Sequence, residues 1–481
     1  MTLKSFIDSN PLVVQYISLG IIIITCAVSA IFLKVKFTLN RKMYYLANTD
    51  SLTGASNFAR FKQEAAELLK SGTPYALSYS DFQAFKYIND RYGYAVGDQV
   101  LIQVKEILQN DLRPNEIFCR MNADTFVVLR ECRSREELLK RYLRYIEKLS
   151  HIKVSDDSTY RLKLWTGFFH EENPEEEHTL FEMMDRAILA QKHVKRSKEL
   201  NYAFYEDAMR NQMLREQDIE SKMSQALQDG EFVVYLQPKY DLQSLKPNSA
   251  EALVRWITSD GAVPPNEFIP LFERNYFIIQ LDTYIFEQCC KIIRHWIDHN
   301  MPVLPIAVNV SRVQLSSDQF VETYIQIKEK YNIPDRYLEI EFTENIVFDD
   351  TAKLVEIVNQ LKAAGFTCAI DDFGRGYSSL TVLKDIPADC LKMDAQFFAK
   401  GHDKHKDTIM IESTLAMGKA LHMNIVAEGI ETWDQVEYLK EIGCDLVQGY
   451  VFAKPMPVDQ FERFLAEVQP GGISQPSMQS E

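Results

Sequence analysis

The stretch from Cys368 to Leu380, CAIDDFGRGYSSL, sets two adjacent carboxylates, Asp371 and Asp372, where an apolar strand-like run meets a loop punctuated by Gly374 and Gly376. Charges of like sign that close repel, and a divalent cation between them offsets what water only screens. A helix N-cap, in which Asp372 or Ser378 satisfies free backbone N–H groups, accounts for the same residues. The other polar residues bear on the choice. Glu251, Asn309, Glu341, Lys392, Glu428 and Gln448 each lie in or at the end of a different short apolar run. Four or five carboxylates with one amide oxygen, and no His or Cys among them, make a hard oxygen-donor set suited to Mg²⁺ or Mn²⁺ rather than zinc. Two such ions close together are the usual arrangement for attacking a phosphodiester, one activating water and both stabilising the developing charge. Lys392 in or near that shell could orient the water or neutralise the anion.

The elements that must position these residues begin after Gly230. Short apolar runs alternate there with helical stretches: EFVVYLQPKYDL, EALVRWI, PIAVNVS, YLEIEFTE, TCAIDDFG, CLKMDA, NIVAEGIE and DLVQGYVF. Alternation on that scale over about 240 residues is the signature of a (β/α)₈ barrel, an α/β fold whose strand ends converge on one mouth. Chance would scatter the polar residues over both ends.

At 481 residues the chain has room for two or three domains, and 25% charged with 46% hydrophobic residues is ordinary globular composition. A net charge of −15 argues against a long nucleic acid as partner. The eight cysteines show no CxxC and no regular framework, which reads as reduced and mostly buried; the vicinal Cys289 and Cys290 fit the apolar face of a helix. Residues 12–33 form a nearly unbroken apolar run, long enough for one transmembrane helix and too long for a signal-peptide core. Lys34, Lys36, Arg41 and Lys42 follow it, so the positive-inside rule puts everything after it in the cytoplasm and leaves residues 1–11 as a short outer segment. Residues 34–50 read as a helical linker, 207–228 as a stiff connector helix, and 467–481 as a disordered tail.

The barrel-like runs resemble the EAL domain of cyclic di-GMP phosphodiesterases over residues 222–466. The naming motif stands as Glu251-Ala252-Leu253, and VNVS, EFTE, DDFG, LKMD, AEGIE and QGY follow in the family's order. The resemblance implies Glu251, Asn309, Glu341, Asp371, Asp372 and Glu428 as ligands of two Mg²⁺ or Mn²⁺ ions, with Lys392 and Glu428 around the nucleophilic water and Gln448 near a metal's water shell. It implies Gln237 and Arg255 as holding the dinucleotide and Glu344 as steadying the loop after DDFG. Arg375 stands where the family usually has Thr or Ser, in the loop that couples the metal site to dimerisation, which puts the rate in question.

Residues 44–206 resemble a GGDEF domain through TDSLTGASNFARF, YALSYSDFQAFKYINDRYGYAVGDQVL and EIFCRMNADTFVVLRE. The first of these reads as following a helical linker, the second as a strand ending at Asp81 and then one helix through Val100, and the third as a hairpin. The departures matter more. Asn122, Ala123, Asp124, Thr125 and Phe126 replace the naming motif, and Ala takes the positive φ of a glycine poorly. Thr125 supplies no carboxylate, and Gln83 replaces the second aspartate of the family's metal pair. No cyclase activity is expected. Asp81 and Asp124 match metal positions, Asn89 and Asp98 guanine-contacting ones, and Lys192 and Arg196 basic residues near the phosphates, which implies possible GTP binding without cyclisation. Arg113-Pro114-Asn115-Glu116 stands where cyclases carry an RxxD product site, with Glu for Asp.

The resemblance therefore implies a single-pass protein of the bacterial inner membrane, a homodimer, with a degenerate α+β GGDEF domain and an EAL barrel that hydrolyses cyclic di-GMP to pGpG. The alternative is a silent cyclic di-GMP receptor signalling through its dimer interface.

Overall fold

The computed structural model describes residues 11–155, 158–170, 176, 178–197, 200–343, 351–374, 383–398 and 404–468. Glu344, Arg375 and the tail from 469 lie outside them. The chain divides into two compact units, Met1–Leu214 and Arg215–Glu481, and the helix Asp207–Asp229 crosses the division.

The first unit opens with one helix, Pro11–Asn48. Between residues 34 and 48 there is no Gly or Pro to end it, so the apolar run and the expected linker are continuous. A 30-residue stretch, Leu19–Asn48, is long and apolar enough to cross a membrane, and its apolar window is unburied in the protein. Ile22, Ile23, Ile24, Phe32 and Leu33 are all exposed.

Behind it stands a five-stranded sheet, built from β1 (Tyr75–Phe82), β2 (Ile117–Asn122), β3 (Thr125–Glu131), β6 (Leu164–His170) and β7 (Tyr202–Phe204) in the order β2-β3-β1-β6-β7. A separate small hairpin pairs β4 (Ile152–Ser155) with β5 (Ser158–Tyr160). Strand alternation divides the core in two. Tyr75, Leu77, Val127 and Leu129 pack with Phe61, Met183 and Ala187, from the helices Phe58–Leu69 and Leu180–Ser197. Their strand neighbours Ala76, Phe126 and Val128 pack with Val100, Val104 and Tyr142, from the helices Tyr94–Asp111 and Arg135–Leu149. Gly167 brings the Leu180–Ser197 helix close to β6, because a Cβ there would lie 1.9 Å from the Ala187 carbonyl oxygen. The helix expected to run through Val100 is two helices, Phe85–Tyr92 and Tyr94–Asp111, broken at Gly93 with φ +88°.

The second unit is a closed barrel of eight strands: β8 (Phe232–Asp241), β9 (Lys246–Thr258), β11 (Ile306–Val310), β12 (Leu338–Thr343), β13 (Thr367–Phe373), β14 (Cys390–Met393), β15 (Asn424–Ala427) and β16 (Leu446–Val447). Two short strands, β10 (Gly261–Val263) and β17 (Met456–Pro457), add to its edges. The pairings from β9 through β16 are parallel, but β8 runs antiparallel to both β9 and β16. That departs from an all-parallel (β/α)₈ barrel. Its cause is local: Asp241 accepts the Ser244 backbone N–H at 2.7 Å and Leu245 takes φ +51°, making a tight reversal where a parallel pair would need a helical crossover. Outward residues of each strand, such as Ile306, Val308, Ile340, Ile370, Leu391 and Ile425, join the apolar core under the helices. The alternate residues therefore face the barrel interior.

Candidate active site

Period-two alternation delivers polar groups from successive strands to that interior. Gln237 on β8 is opposite Glu251 on β9, Asn309 on β11 is opposite Glu341 on β12, and Thr343 is opposite Asp371 on β13. Lys392 lies on β14, while Glu428 and Gln448 follow directly after β15 and β16. All are at the carboxyl ends of their strands except the two from the antiparallel hairpin, Gln237 and Glu251.

The centre of the site is Lys392, fully buried. Its Nζ lies 2.8 Å from Glu341 Oε2, 2.8 Å from Glu428 Oε1, 3.1 Å from Asp371 Oδ1 and 3.4 Å from Glu251 Oε2. Asn309 Nδ2 donates to Glu251 Oε1 at 2.7 Å. Gln448 Nε2 donates to Glu251 Oε2 at 2.7 Å and to Gln237 Oε1 at 3.0 Å. One oxygen from each of Glu251, Glu341 and Asp371 lies within 4.8 Å of the others.

A second lysine, Lys239, sits below the first. It is fully buried, with Nζ 2.8 Å from Glu339 Oε1 and 2.7 Å from Glu341 Oε1. Sequence reasoning missed it. A lysine in the run QPKYD reads as a solvated side chain, and the only available signal was its two-residue spacing from Gln237.

The charges do not balance without help. Glu251, Glu339, Glu341, Asp371 and Glu428 face two ammonium groups, Lys239 and Lys392, and burial penalises the unpaired carboxylates. Burial pushes Glu428 up to about 8, with Lys392 pulling the other way and Asp371, Glu251 and Glu341 adding to the rise. Burial likewise raises Glu251 and Asp371 above the ordinary carboxylate range. The Gln448 side-chain oxygen is buried with no partner among the described residues. An all-oxygen donor set with surplus negative charge and an unsatisfied amide oxygen fits hard divalent cations.

Asp372 takes φ +57° at a bulge in the pairing of β13 with β14 and donates its backbone N–H to Asp371 Oδ1 at 2.7 Å. It is half-buried and outside the three-oxygen cluster. Arg255 is four residues past Glu251 on β9, about 13 Å along the strand, with its guanidinium 5.6 Å from the centre of the Tyr235 ring. It reaches no carboxylate of the cluster among the contacts described.

Two family models match the chain: the EAL domain over residues 220–455, and the diguanylate cyclase GGDEF domain over residues 47–198. The chain belongs to the GGDEF–EAL family. It is 31% identical over 437 residues to the bifunctional diguanylate cyclase/cyclic di-GMP phosphodiesterase MucR of Pseudomonas aeruginosa, covering 88% of this chain and 62% of that protein. It is also 31% identical to the cyclic di-GMP phosphodiesterase NbdA of the same organism, covering 87% of this chain and 54% of that one. The chain thus spans little more than half the length of these relatives. A solved EAL enzyme in its cAMP- and cyclic-di-GMP-bound form shares the fold, with a TM-score of 0.51 at 21% identity, covering 82% of this chain and 95% of its own.

In the GGDEF domain the hairpin between β2 and β3 turns at Ala123, whose φ of +31° puts an alanine in the left-handed region. Arg120 steadies the turn, donating from Nε to the Ala123 carbonyl at 2.7 Å and pairing with Asp50 at 2.9 Å. Thr125 is buried. Asp81 pairs with Lys195, a residue outside the expected set. Burial raises Asp124, and the Asp81 charge adds to the rise. Lys192 and Arg196 are exposed on the same helix. The Asn89 side chain lies over Gly97, where a Cβ would come within 2.0 Å of its oxygen, and Asp98 is exposed beside it. Glu116 points inward and is held by Arg141 at 2.6 and 2.7 Å, so the RxxE stretch lends no carboxylate to the surface.

Proposed function

We propose that the EAL barrel is a cyclic di-GMP phosphodiesterase that opens the cyclic dinucleotide to linear pGpG with two Mg²⁺ or Mn²⁺ ions. The observation that carries the reading is the convergence of Glu251, Asn309, Glu341, Asp371 and Glu428 around one buried lysine. The names of the two relatives support the same substrate.

Glu251, Asn309, Glu341, Asp371, Asp372 and Glu428 would hold the ions. Bound there, the ions supply water that is nucleophilic at neutral pH and charge for an in-line displacement at phosphorus. Lys392 fixes the facing oxygens of four carboxylates and offers positive charge where the anion develops. Glu428, whose Oε1 lies 2.8 Å from the Lys392 ammonium, would flank the attacking water with Lys392 and take its proton. Gln237 and Arg255 would bind the dinucleotide, and Gln448 keeps Glu251 turned toward the centre.

The GGDEF domain in this reading binds GTP through Asn89, Asp98, Lys192 and Arg196, with Asp81 held by Lys195 and Asp124 beside it, performs no cyclisation, and regulates the barrel. The Pro11–Asn48 helix would anchor a homodimer in the inner membrane with both domains cytoplasmic.

The test is to incubate the full chain, in detergent, with cyclic di-GMP and Mn²⁺. Linear pGpG is expected, and its formation should stop on chelation and in Glu251→Ala. Tight binding without turnover would replace the enzyme with a receptor. Saturable GTP binding by the same preparation tests the regulatory part.

A further inference from the structure

The ion pair between Lys195 and Asp81 lies where the GGDEF family keeps its cation. Its position follows from how the last helix of that domain docks. Gly167 lets the Leu180–Ser197 helix approach β6, and Gln191 Nε2 donates to the Trp165 carbonyl at 3.3 Å, fixing the helix one turn before Lys195. Trp165 and Asp81 are register partners across β6 and β1. The Lys195 ammonium therefore sits over the Trp165 ring, 5.4 Å from its centre, and meets Asp81 Oδ2. Asp81 is mostly buried and its Oδ1 is buried without a partner among the described residues, so Lys195 is the one described cation paired with it. Gln83 leaves the second carboxylate position neutral.

We propose that Lys195 is a tethered cation that takes the place of the divalent ion in the GGDEF domain and closes that domain to Mg²⁺ and Mn²⁺. One ammonium neutralises Asp81 in a partly desolvated site, where an ion pair is screened less than at the surface. A divalent ion must displace it and shed water to bind a single remaining carboxylate pair, Asp81 and Asp124, with no third acidic ligand from Gln83 or Thr125. The loss of cyclase chemistry then has a cause besides the altered naming motif: the domain carries its own cation. This inference does not depend on the chemistry of the barrel.

The experiment is a Mn²⁺ count on the full chain in detergent, by equilibrium dialysis, for the wild type, Lys195→Ala, Lys195→Met, Lys195→Arg, Asp81→Asn, and Lys195→Ala and Lys195→Met each combined with Asp81→Asn. Lys195→Met keeps the apolar stem over Trp165 and guards against a loss of folding in the alanine variant. One more Mn²⁺ per chain is expected in the Lys195 variants than in the wild type, lost again when Asp81→Asn is added, with Lys195→Arg behaving as wild type. Equal counts in the wild type and both Lys195 variants would overturn the proposal. So would a wild-type count that falls on Asp81→Asn alone.

Discussion

Lys239 holds one oxygen of Glu341 at 2.7 Å while Lys392 holds the other at 2.8 Å. Burial alone would push the Glu341 carboxyl up, but Lys239 and then Lys392 outweigh it and hold it below the ordinary range. Its neighbours Glu251, Asp371 and Glu428 all move the other way. The two ammonium groups thus favour the ionised form of Glu341, against its burial.

Replacing Lys239 by Met tests that arrangement. The change removes a buried charge and leaves Glu339 and Glu341 short of a partner, which costs about 3–5 kcal/mol for a broken buried pair. The loss should be largest in EDTA and smaller with saturating Mn²⁺, since a metal ion replaces part of the missing positive charge. Unfolding midpoints followed by tryptophan fluorescence under both conditions measure it. Wild-type midpoints in EDTA would show that Lys239 carries no such load.

Ala123 at φ +31° predicts that Ala123→Gly stabilises the GGDEF domain. A non-glycine residue in the left-handed region costs on the order of 1 kcal/mol, partly offset by the greater freedom of glycine in the unfolded chain. The net gain should be about 0.5 kcal/mol, visible as a small rise in the domain's melting temperature. No cyclic di-GMP synthesis from GTP is expected from this variant, because Thr125 and Gln83 still lack carboxylates. Synthesis by this variant but not by the wild type would assign the difference to the turn alone.

Asp282 gives a pH dependence whose sign is fixed. It accepts the backbone N–H of Ser311 at 3.1 Å, on the strand end that carries Asn309. Burial pushes its carboxyl from 3.8 up to about 7, against the pull of the Ser311 hydrogen bonds. The folded state then binds more protons than the unfolded state between those values, so this contribution is fully present below about pH 4 and lost as pH rises through 7. Asp282→Asn keeps an acceptor for Ser311 and has no proton to lose. Relative to wild type it should gain on the order of 4 kcal/mol of stability on going from pH 4 to pH 8. Denaturant midpoints for both proteins across that range check it, and parallel curves would remove Asp282 as the cause.

The acids of the barrel could be read from the chain because a carboxylate inside an apolar strand run is costly unless something partners it. Glu251, Glu341 and Asp371 announce themselves by that contrast, and period-two alternation says they share a face. The antiparallel β8, the break at Gly93 and the continuous Pro11–Asn48 helix depend on turn and helix-end geometry that composition only loosely specifies.

What the sequence determined by itself is the set of acids and amides carried by the barrel strands, the barrel class, the apolar first helix and the departures at Ala123 and Thr125. What only the tertiary structure decided is which cations meet those anions. Lys239 finds Glu341 from 102 positions away and Lys195 finds Asp81 from 114. A lysine is normally solvated, and nothing local marks the one whose ammonium a distant strand or helix will bury. Closure of the barrel and docking of a helix on β6 select Lys239 and Lys195, because each places a long flexible cation beside a carboxylate that has lost its water.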